Sequence, residues 1–318
     1  AALAQDGSLL AYIAVDGLHM RSLVDGVDRV LVARKPPAPE MLAWDPNYGV
    51  WERPLNGAWV IYNPAWSADG RYLSLSLGYM DGGREVVVRV SDGKVWVNKG
   101  LGLHAVWSPT GARLLVSDVD YGNPGGWVAV HDEPEMGTPG YLYGRPIRND
   151  EWPRNGQPPF PDTVTTRGAA WSPDGASVAF FGTSPRTAWQ DGDLQLGILT
   201  VQGDPVQWLA TFPGVSASHE QITGWPLFDP GGNLVFFQHR ASAGALQAIS
   251  LSSGVQQPVA TLPVGLHDLR PVTWVNSVHL AVVASRGVSD RGVQDGQSQL
   301  LPPRSPTAWP TTPPGTTR

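Results

Sequence analysis

Apolar and polar residues alternate with a period of two over many short segments of this chain, and helical periodicity is nearly absent. Such alternation predicts β-strands, because successive side chains of a strand point to opposite faces of the sheet. The segments are bounded by Gly, Pro, Asp and Ser, which favour turns. The clearest predicted strands cover residues 72–77, 85–90, 114–116, 127–130, 178–181, 194–199, 234–237 and 245–251.

A short motif precedes four of these strands: an aromatic residue, a small polar residue, a Pro-like position and a Gly. The four copies occupy residues 66–70, 107–111, 171–175 and 228–232. Pro presets φ in such a turn, Asp hydrogen-bonds its own backbone and Gly accepts a positive φ, so each copy predicts a β-hairpin. Degenerate copies at 3–7 and 273–277 bring the number of units to six.

The Trp-Ser-Pro-Asp-Gly motif in six units resembles that of the TolB-type six-bladed β-propellers, with their PD40 or WD40-like repeats. The resemblance implies an all-β fold in which the motif turn joins the innermost strand of each blade to the next strand. It also implies that the motif aromatics pack between blades, as core residues Trp66, Trp107, Trp171, Phe228 and Trp274. Residues 1–304 then form one propeller domain, and residues 305–318 form an extended Pro/Thr-rich tail.

Composition narrows the classes of function. The chain has no Cys, which excludes disulfides, thiolate metal sites and a cysteine nucleophile. A net charge of −6 and three lysines, Lys35, Lys94 and Lys99, leave no basic stripe for nucleic acid. Charged residues make up 16% of the chain, against about 25% in typical soluble domains, which suits an extracellular protein, one covered by glycan or one packed in an assembly.

Localisation is predicted to be extracytoplasmic, meaning secreted, at the cell surface or periplasmic. TolB-like propellers usually lie outside the cytoplasm, and the chain contains no transmembrane run of about 18 apolar residues. It starts with Ala-Ala-Leu-Ala and no Met, which fits removal of a signal peptide or of a longer upstream segment.

Insertions enlarge three of the units, at about 34–57, 145–167 and 183–193. Two fall just before an inner strand and one falls between the second and third strands, so propeller geometry predicts that all three emerge opposite the motif turns. Exposed aromatic residues beside Arg and Pro are typical anchors of protein interfaces. The insertions are therefore predicted either to bind a partner or to cap the channel by packing on one another. The candidate partner-binding residues are Trp44, Tyr48, Trp51, Arg53, Trp152, Phe160 and Trp189.

A second group of residues is predicted at the mouth of the central channel, near the starts of inner strands. It consists of His104, Arg167, His219, Glu220, His267 and Asp268. Three imidazoles and a carboxylate suit a divalent metal, but polar residues are common at strand entrances and nothing local makes these converge. We therefore predict no metal, no cofactor and no catalytic residue. His19, His131, His239 and His279 show no partner pattern, and the sequence lacks hydrolase, zincin and phosphate-loop motifs.

The tail is predicted to dock. Its Ser/Thr-plus-Pro bias is typical of O-glycosylated stalks or extended linkers. Only five residues precede the first motif turn, so blade 1 exposes an unpaired edge. The segment Thr307-Ala308-Trp309-Pro310 begins like the motif strands, and its Trp would fill the missing aromatic position. Docking on its own ring would close that ring, and docking on a neighbour would build a head-to-tail filament, although the prolines limit strand pairing.

Three functions remain open at this level. The favoured one is a non-enzymatic extracytoplasmic scaffold in protein interaction or self-assembly. The second is a TolB-like periplasmic protein-binding component. The third is a propeller enzyme or sugar binder with its site at the channel mouth.

Overall fold

A computed structural model shows an all-β protein, with 24 strands and no helix in the described residues. The described residues are 1–35, 50–51, 60–79, 82–97, 104–117, 126–132, 140–144, 164, 166–183, 193–216, 226–238, 246–260, 266–274, 280–286 and 296–300. The strands form six antiparallel sheets in which sheet order follows chain order. The fold is the six-bladed β-propeller that the motifs predict, with each sheet as one blade.

The blades contain three to five strands each, and every strand predicted from alternation is confirmed. Blade 1 contains β1 (Ala2–Leu3), β2 (Leu9–Ala14), β3 (Gly17–Ser22), β4 (Asp28–Lys35) and β5 (Val50–Trp51). Blade 2 contains β6 (Val60–Trp66), β7 (Tyr72–Tyr79), β8 (Gly82–Arg89) and β9 (Val95–Val97). Blade 3 contains β10 (His104–Trp107), β11 (Leu114–Ser117), β12 (Trp127–His131) and β13 (Gly140–Gly144). Blade 4 contains β14 (Thr166–Trp171), β15 (Ser177–Thr183), β16 (Asp193–Thr200) and β17 (Gln207–Ser216). Blade 5 contains β18 (Leu227–Phe228), β19 (Leu234–Gln238), β20 (Leu246–Ser250) and β21 (Gln256–Ala260), and blade 6 contains β22 (Leu266–Trp274), β23 (Leu280–Arg286) and β24 (Gly296–Leu300).

The motif turns have the hydrogen bonds that their residues predict. In blade 2 the Gly70 N–H donates to the Ser67 carbonyl at 3.0 Å, and the Ser67 hydroxyl donates to the Asp69 carboxylate at 2.8 Å. Gly70 has a φ of 70°, the left-handed region that favours glycine. The same two bonds recur in the motif turn of blade 4, at 2.9 Å and 2.6 Å.

The hydrophobic core lies between the blades. Four clusters of buried side chains each join two neighbouring blades, from blades 1 and 2 to blades 4 and 5. On β7, Leu73 packs in the cluster shared with blade 1, and the adjacent Tyr72 packs in the cluster shared with blade 3. Stacking therefore buries both faces of a blade, which a single hairpin unit cannot do alone.

Burial of the motif aromatics follows the prediction where the side chains are described. Trp107 and Trp171 are each 7% exposed and Phe228 is 3% exposed. Trp66 is half-buried and packs against the cluster between blades 1 and 2. The Trp274 side chain lies outside the described residues.

Motif tryptophans also link the blades by hydrogen bonds from their indole N–H groups. The three bonds run to backbone carbonyls, from Trp66 to Ala2 at 3.0 Å, from Trp107 to Ala65 at 3.0 Å and from Trp171 to Val106 at 2.9 Å. In each case the acceptor is the residue directly before the motif aromatic of the preceding blade, a position that Leu3 holds in blade 1. The bonds join equivalent positions, so blades 1 to 4 present the same ends of their sheets to the same side.

Blade 1 differs from the simple four-stranded unit. Part of the first insertion forms β5, whose Trp51 and Val50 pair with Arg34 and Lys35 of β4. The innermost strand β1 is two residues long and pairs with β2, in agreement with the predicted short inner strand. The tail lies outside the described residues.

Candidate functional site

The three insertions leave their blades at the same end of the sheets. The first begins in the last two residues of β4, the second follows Gly144 at the end of β13, and the third begins at Thr183, the last residue of β15. In an antiparallel blade, this is also the end at which the second strand runs into the third, opposite the motif turn. Since the indole bonds align blades 1 to 4, these ends share one face of the propeller, which we call the insertion face. The opposite face is the turn face.

Hydrogen bonds to blade 3 fix the end of the second insertion. The Gly126 N–H donates to the Val164 carbonyl at 2.7 Å, and the Thr166 hydroxyl donates to the Trp127 carbonyl at 3.2 Å. At the other end of this insertion, Gly144 has a φ of 65°, and a Cβ there would lie 2.2 Å from the Gly126 carbonyl oxygen. Only glycine fits so close an approach. Both ends of the insertion are therefore held beside the start of β12.

The third insertion starts from the same region. The hydroxyl of Tyr143, on β13, donates to the carbonyl of Thr183, the first residue of the insertion. The Tyr143 ring packs on Phe180 and Trp208, with centroid distances of 4.8 and 5.8 Å. Burial raises the pKa of Tyr143 well above its ordinary value of 10, so the phenol keeps its proton and remains a donor. The second and third insertions thus leave the insertion face side by side, from residues that hydrogen bonds join to blade 3.

A buried acid lies in the seam between blades 2 and 3. Glu85, on β8, is 3% exposed and accepts a hydrogen bond from the Ser76 hydroxyl at 2.6 Å. Burial raises the pKa of Glu85 to about 8, and the Ser76 hydrogen bond offsets only part of that rise. The carboxyl is therefore protonated at neutral pH. Its burial was not predicted from the sequence, because the face that it shares with Val87 is covered only when blade 3 packs on it.

A cluster on blade 1 was also missed from the sequence, which shows no partner pattern for His19, whereas the structure gives His19 two acidic partners. Its Nδ1 lies 3.0 Å from an Asp28 oxygen and its Nε2 lies 2.8 Å from an Asp16 oxygen. Tyr12 stacks on the imidazole at 5.1 Å and donates its hydroxyl proton to Asp28. The alternation around Asp16-Gly17 was the available signal, because a hairpin closed there pairs Tyr12 with His19.

The charges in this cluster favour a protonated imidazole. Burial lowers the pKa of His19, but the hydrogen bonds and charges of Asp16 and Asp28 outweigh it, so the net direction is upward. The pKa of Asp28 is lowered by the hydrogen bonds from Tyr12 and His19. Within the described residues, no group of three or more acidic or His side chains is arranged to hold a metal ion.

Most of the predicted site residues fall outside the described part of the chain. They are Trp44, Tyr48, Arg53, Trp152, Phe160, Trp189, His219, Glu220 and the tail residues Thr307, Ala308, Trp309 and Pro310. For five more the backbone is described and the side chain is not: Trp51 on β5, His104 on β10, Arg167 on β14, and His267 and Asp268 on β22. These last four stand at or near the starts of inner strands, as predicted, and their side chains lie outside the described residues.

Comparison with known proteins shows the fold. No family model and no curated protein matches the sequence. A solved structure described as one of two prolyl endopeptidases is 15% identical, with a TM-score of 0.52, over 90% of this chain and 39% of that chain. A chain of the Mitotic Checkpoint Complex is 13% identical, with a TM-score of 0.50, over 95% of this chain and 78% of that one. TolB from Acinetobacter baumannii is 16% identical, with a TM-score of 0.43, over 80% of this chain and 52% of that chain.

The six antiparallel sheets are the fold that the resemblance to TolB-type and WD40-like propellers implies. At identities of 15% and 13%, the endopeptidase and checkpoint-complex structures show likeness of fold alone. This chain spans about half the length of the TolB chain and less than half of the endopeptidase chain. Across the described residues, no helix has the length and apolar character needed to cross a membrane.

Proposed function

We propose that this protein is a non-enzymatic, extracytoplasmic propeller scaffold that binds a protein partner through its insertion face. The observation that carries the proposal is the shared base of the second and third insertions. Val164 and Thr183, at their borders, are each hydrogen-bonded to blade 3. Segments held at both ends lose less freedom on binding, which favours affinity.

The residues of the insertions suit a protein ligand. Trp152, Phe160 and Trp189 lie within the second and third insertions, and large aromatic side chains carry much of the energy of protein interfaces. The low charged fraction of the chain, 16%, agrees with a surface used for contact. That a solved chain of this fold belongs to the Mitotic Checkpoint Complex shows that the fold itself is compatible with assembly.

Two variants of the full chain test the proposal. The insertion-face variant replaces four aromatics by Ala: Trp44, Trp51, Trp152 and Trp189. The turn-face variant is its matched control and replaces four exposed residues of turns on the other face by Ala: Pro109, Pro173, Pro230 and Val255. Each protein is immobilised, and partners are recovered from the extracytoplasmic fraction of the source cells. We expect the insertion-face variant to lose a partner that the wild type and the turn-face variant both retain. Equal recovery by all three would contradict the proposal.

Self-assembly is a second form of the same function, and blade 1 favours it. Six of the eight exposed large apolar side chains among the described residues belong to this blade: Leu3, Val15, Leu23, Val24, Val27 and Val30. Leu23, Val24 and Val27 stand together at the turn between β3 and β4, and a group of exposed apolar side chains of this kind marks a contact surface. In sedimentation equilibrium, self-association that Val24→Ser with Val27→Ser abolishes would support this form, and a monomer at all concentrations would contradict it.

An enzyme acting at the channel mouth is the alternative. It is favoured by the positions of His104, Arg167 and His267, whose backbones lie near the starts of three inner strands. Calorimetric titration of the full chain with Mn²⁺ and Zn²⁺ separates the two. Stoichiometric binding that His104→Ala and His267→Ala each abolish would favour a site at the channel mouth, and no binding of either metal would count against it.

A further inference from the structure

The indole hydrogen bonds define a slot that recurs between blades. In each of the three seams that show the bond, the motif Trp enters the seam and donates to the carbonyl that precedes the motif aromatic of the blade before. Blade 5 has Phe228 at this position, buried but without an N–H. The slot therefore accepts an aromatic ring, and the indole adds one hydrogen bond.

Blade 1 leaves its slot without an aromatic ring. Leu3 occupies the motif position, where it is 56% exposed, against 7% for Trp171. On the same face, Leu10 and Tyr12 are only half-buried, whereas their counterparts in blade 2, Leu73 and Leu75, are fully buried. This face of blade 1 is therefore more exposed to solvent than the same face of blade 2.

The seam that would cover this face is the one between blade 6 and blade 1. Each inner strand from β1 to β18 contacts the inner strand of the following blade, but no contact of comparable extent joins β22 to β1 within the described residues. The carbonyl equivalent to the acceptors in the other seams belongs to Thr273, on β22. A Trp side chain placed over Leu3 would therefore have the Thr273 carbonyl as the hydrogen-bond acceptor for its indole N–H.

We propose that Trp309 fills this slot in its own ring, with its indole N–H donating to the Thr273 carbonyl, and so fastens blade 6 to blade 1. The dipeptide Ala308-Trp309 repeats Ala65-Trp66 and Ala170-Trp171 of the motif strands. The prolines around it remove the backbone donors that a continuous added strand needs. A side chain anchored in a slot needs no such ladder, so the Pro-rich composition is compatible with this mode of docking.

The chain has the reach for this contact. Trp309 follows Leu300, the last residue of β24, by nine positions, and an extended Pro-rich segment of that length spans roughly 28 Å. The inner strand of blade 6 lies two strand spacings from β24, roughly 10 Å away. A tether this short holds the indole at an effective concentration on the order of millimolar, which favours the same ring over a neighbouring molecule.

Engineered cysteines test the contact directly, because the chain has no Cys of its own. Leu3→Cys is combined with Ala308→Cys, which keeps Trp309 in place. The control pairs Ala308→Cys with Val255→Cys, an exposed position on blade 5. Under mild oxidation we expect the first pair to form an intramolecular disulfide and the control to form none. Intermolecular ladders from the first pair, or equal rates in both, would overturn docking in the same ring.

Thermal unfolding supplies a second readout that does not depend on cysteine geometry. We expect Trp309→Ala to lower the unfolding midpoint by roughly 5 °C through lost burial. Trp309→Phe should give a smaller shift, as Phe228 fills the equivalent slot without an N–H. Deletion of residues 311–318 should give none. If Trp309→Ala leaves the midpoint unchanged, the tail lies elsewhere, for example as an outer strand of blade 6. Neither readout involves the insertion face, so partner binding is tested separately.

Discussion

The buried carboxyl of Glu85 predicts an unusual pH dependence of stability. Its pKa is raised from the ordinary 4.5 to about 8 by burial. Between these pH values the native state holds a proton that the unfolded state has lost, so the free energy of unfolding falls as the pH rises. The slope is about 1.4 kcal/mol per pH unit, or about 5 kcal/mol over the whole interval, as an order of magnitude.

Glu85→Gln removes the titration while keeping an acceptor for the Ser76 hydroxyl. Because Gln never ionises, the variant should match the wild type near pH 4.5 and exceed it by about 3 kcal/mol at pH 7. Urea unfolding followed by Trp fluorescence at half-unit pH intervals measures both curves. As a control, Ser76→Ala deletes the hydrogen bond that lowers the Glu85 pKa, so its loss of stability should extend to higher pH. Parallel curves for wild type and Glu85→Gln between pH 4.5 and 8 would refute this reasoning.

Two further predictions concern the contacts between blades and the cluster on blade 1. Gly70 and Gly175 have nearly equal φ values of 70° and 67°, but a Cβ at Gly70 meets nothing within 4 Å, whereas one at Gly175 would lie 2.6 Å from the Thr110 hydroxyl of blade 3. Gly70→Ala should therefore lower the free energy of unfolding only by the penalty for a left-handed backbone, about 1–2 kcal/mol, and Gly175→Ala should lower it further. Equal losses of unfolding free energy in urea would contradict the inter-blade contact. For His19, an NMR titration should give a pKa above the ordinary 6.5. The stability that its ion pairs contribute should be fully present below pH 6.5 and lost as the pH rises through the pKa of the folded state. A measured pKa at or below 6.5 would refute the geometry.

Local chemistry explains how much of the fold the sequence predicts. The motif residues act within five positions of one another, as Ser67, Asp69 and Gly70 do, so the hairpin is readable without knowledge of any other part of the chain. Six repeats of one hairpin then leave few ways to bury the alternating apolar residues. The positions from which the insertions leave follow from strand order alone.

The side-chain clusters depend on contacts that the local pattern does not contain. His19 meets Asp28 only because β4 pairs with β3 across a register shift next to Leu18. Glu85 is buried on the face of β8 that it shares with Val87, which packs against blade 3. Both arise between strands or blades, whereas sequence periodicity reports on one strand at a time.

Amine crosslinking of the protein with its bound partner, followed by mass spectrometry, tests the central claim most directly, because the chain has only three lysines. Lys35 ends β4 at the insertion face, at the start of the first insertion. Lys94 lies in the turn between β8 and β9 on the turn face. The account predicts crosslinks from the partner to Lys35 and none to Lys94. Crosslinks to Lys94 without any to Lys35 would place the partner on the turn face and contradict the account.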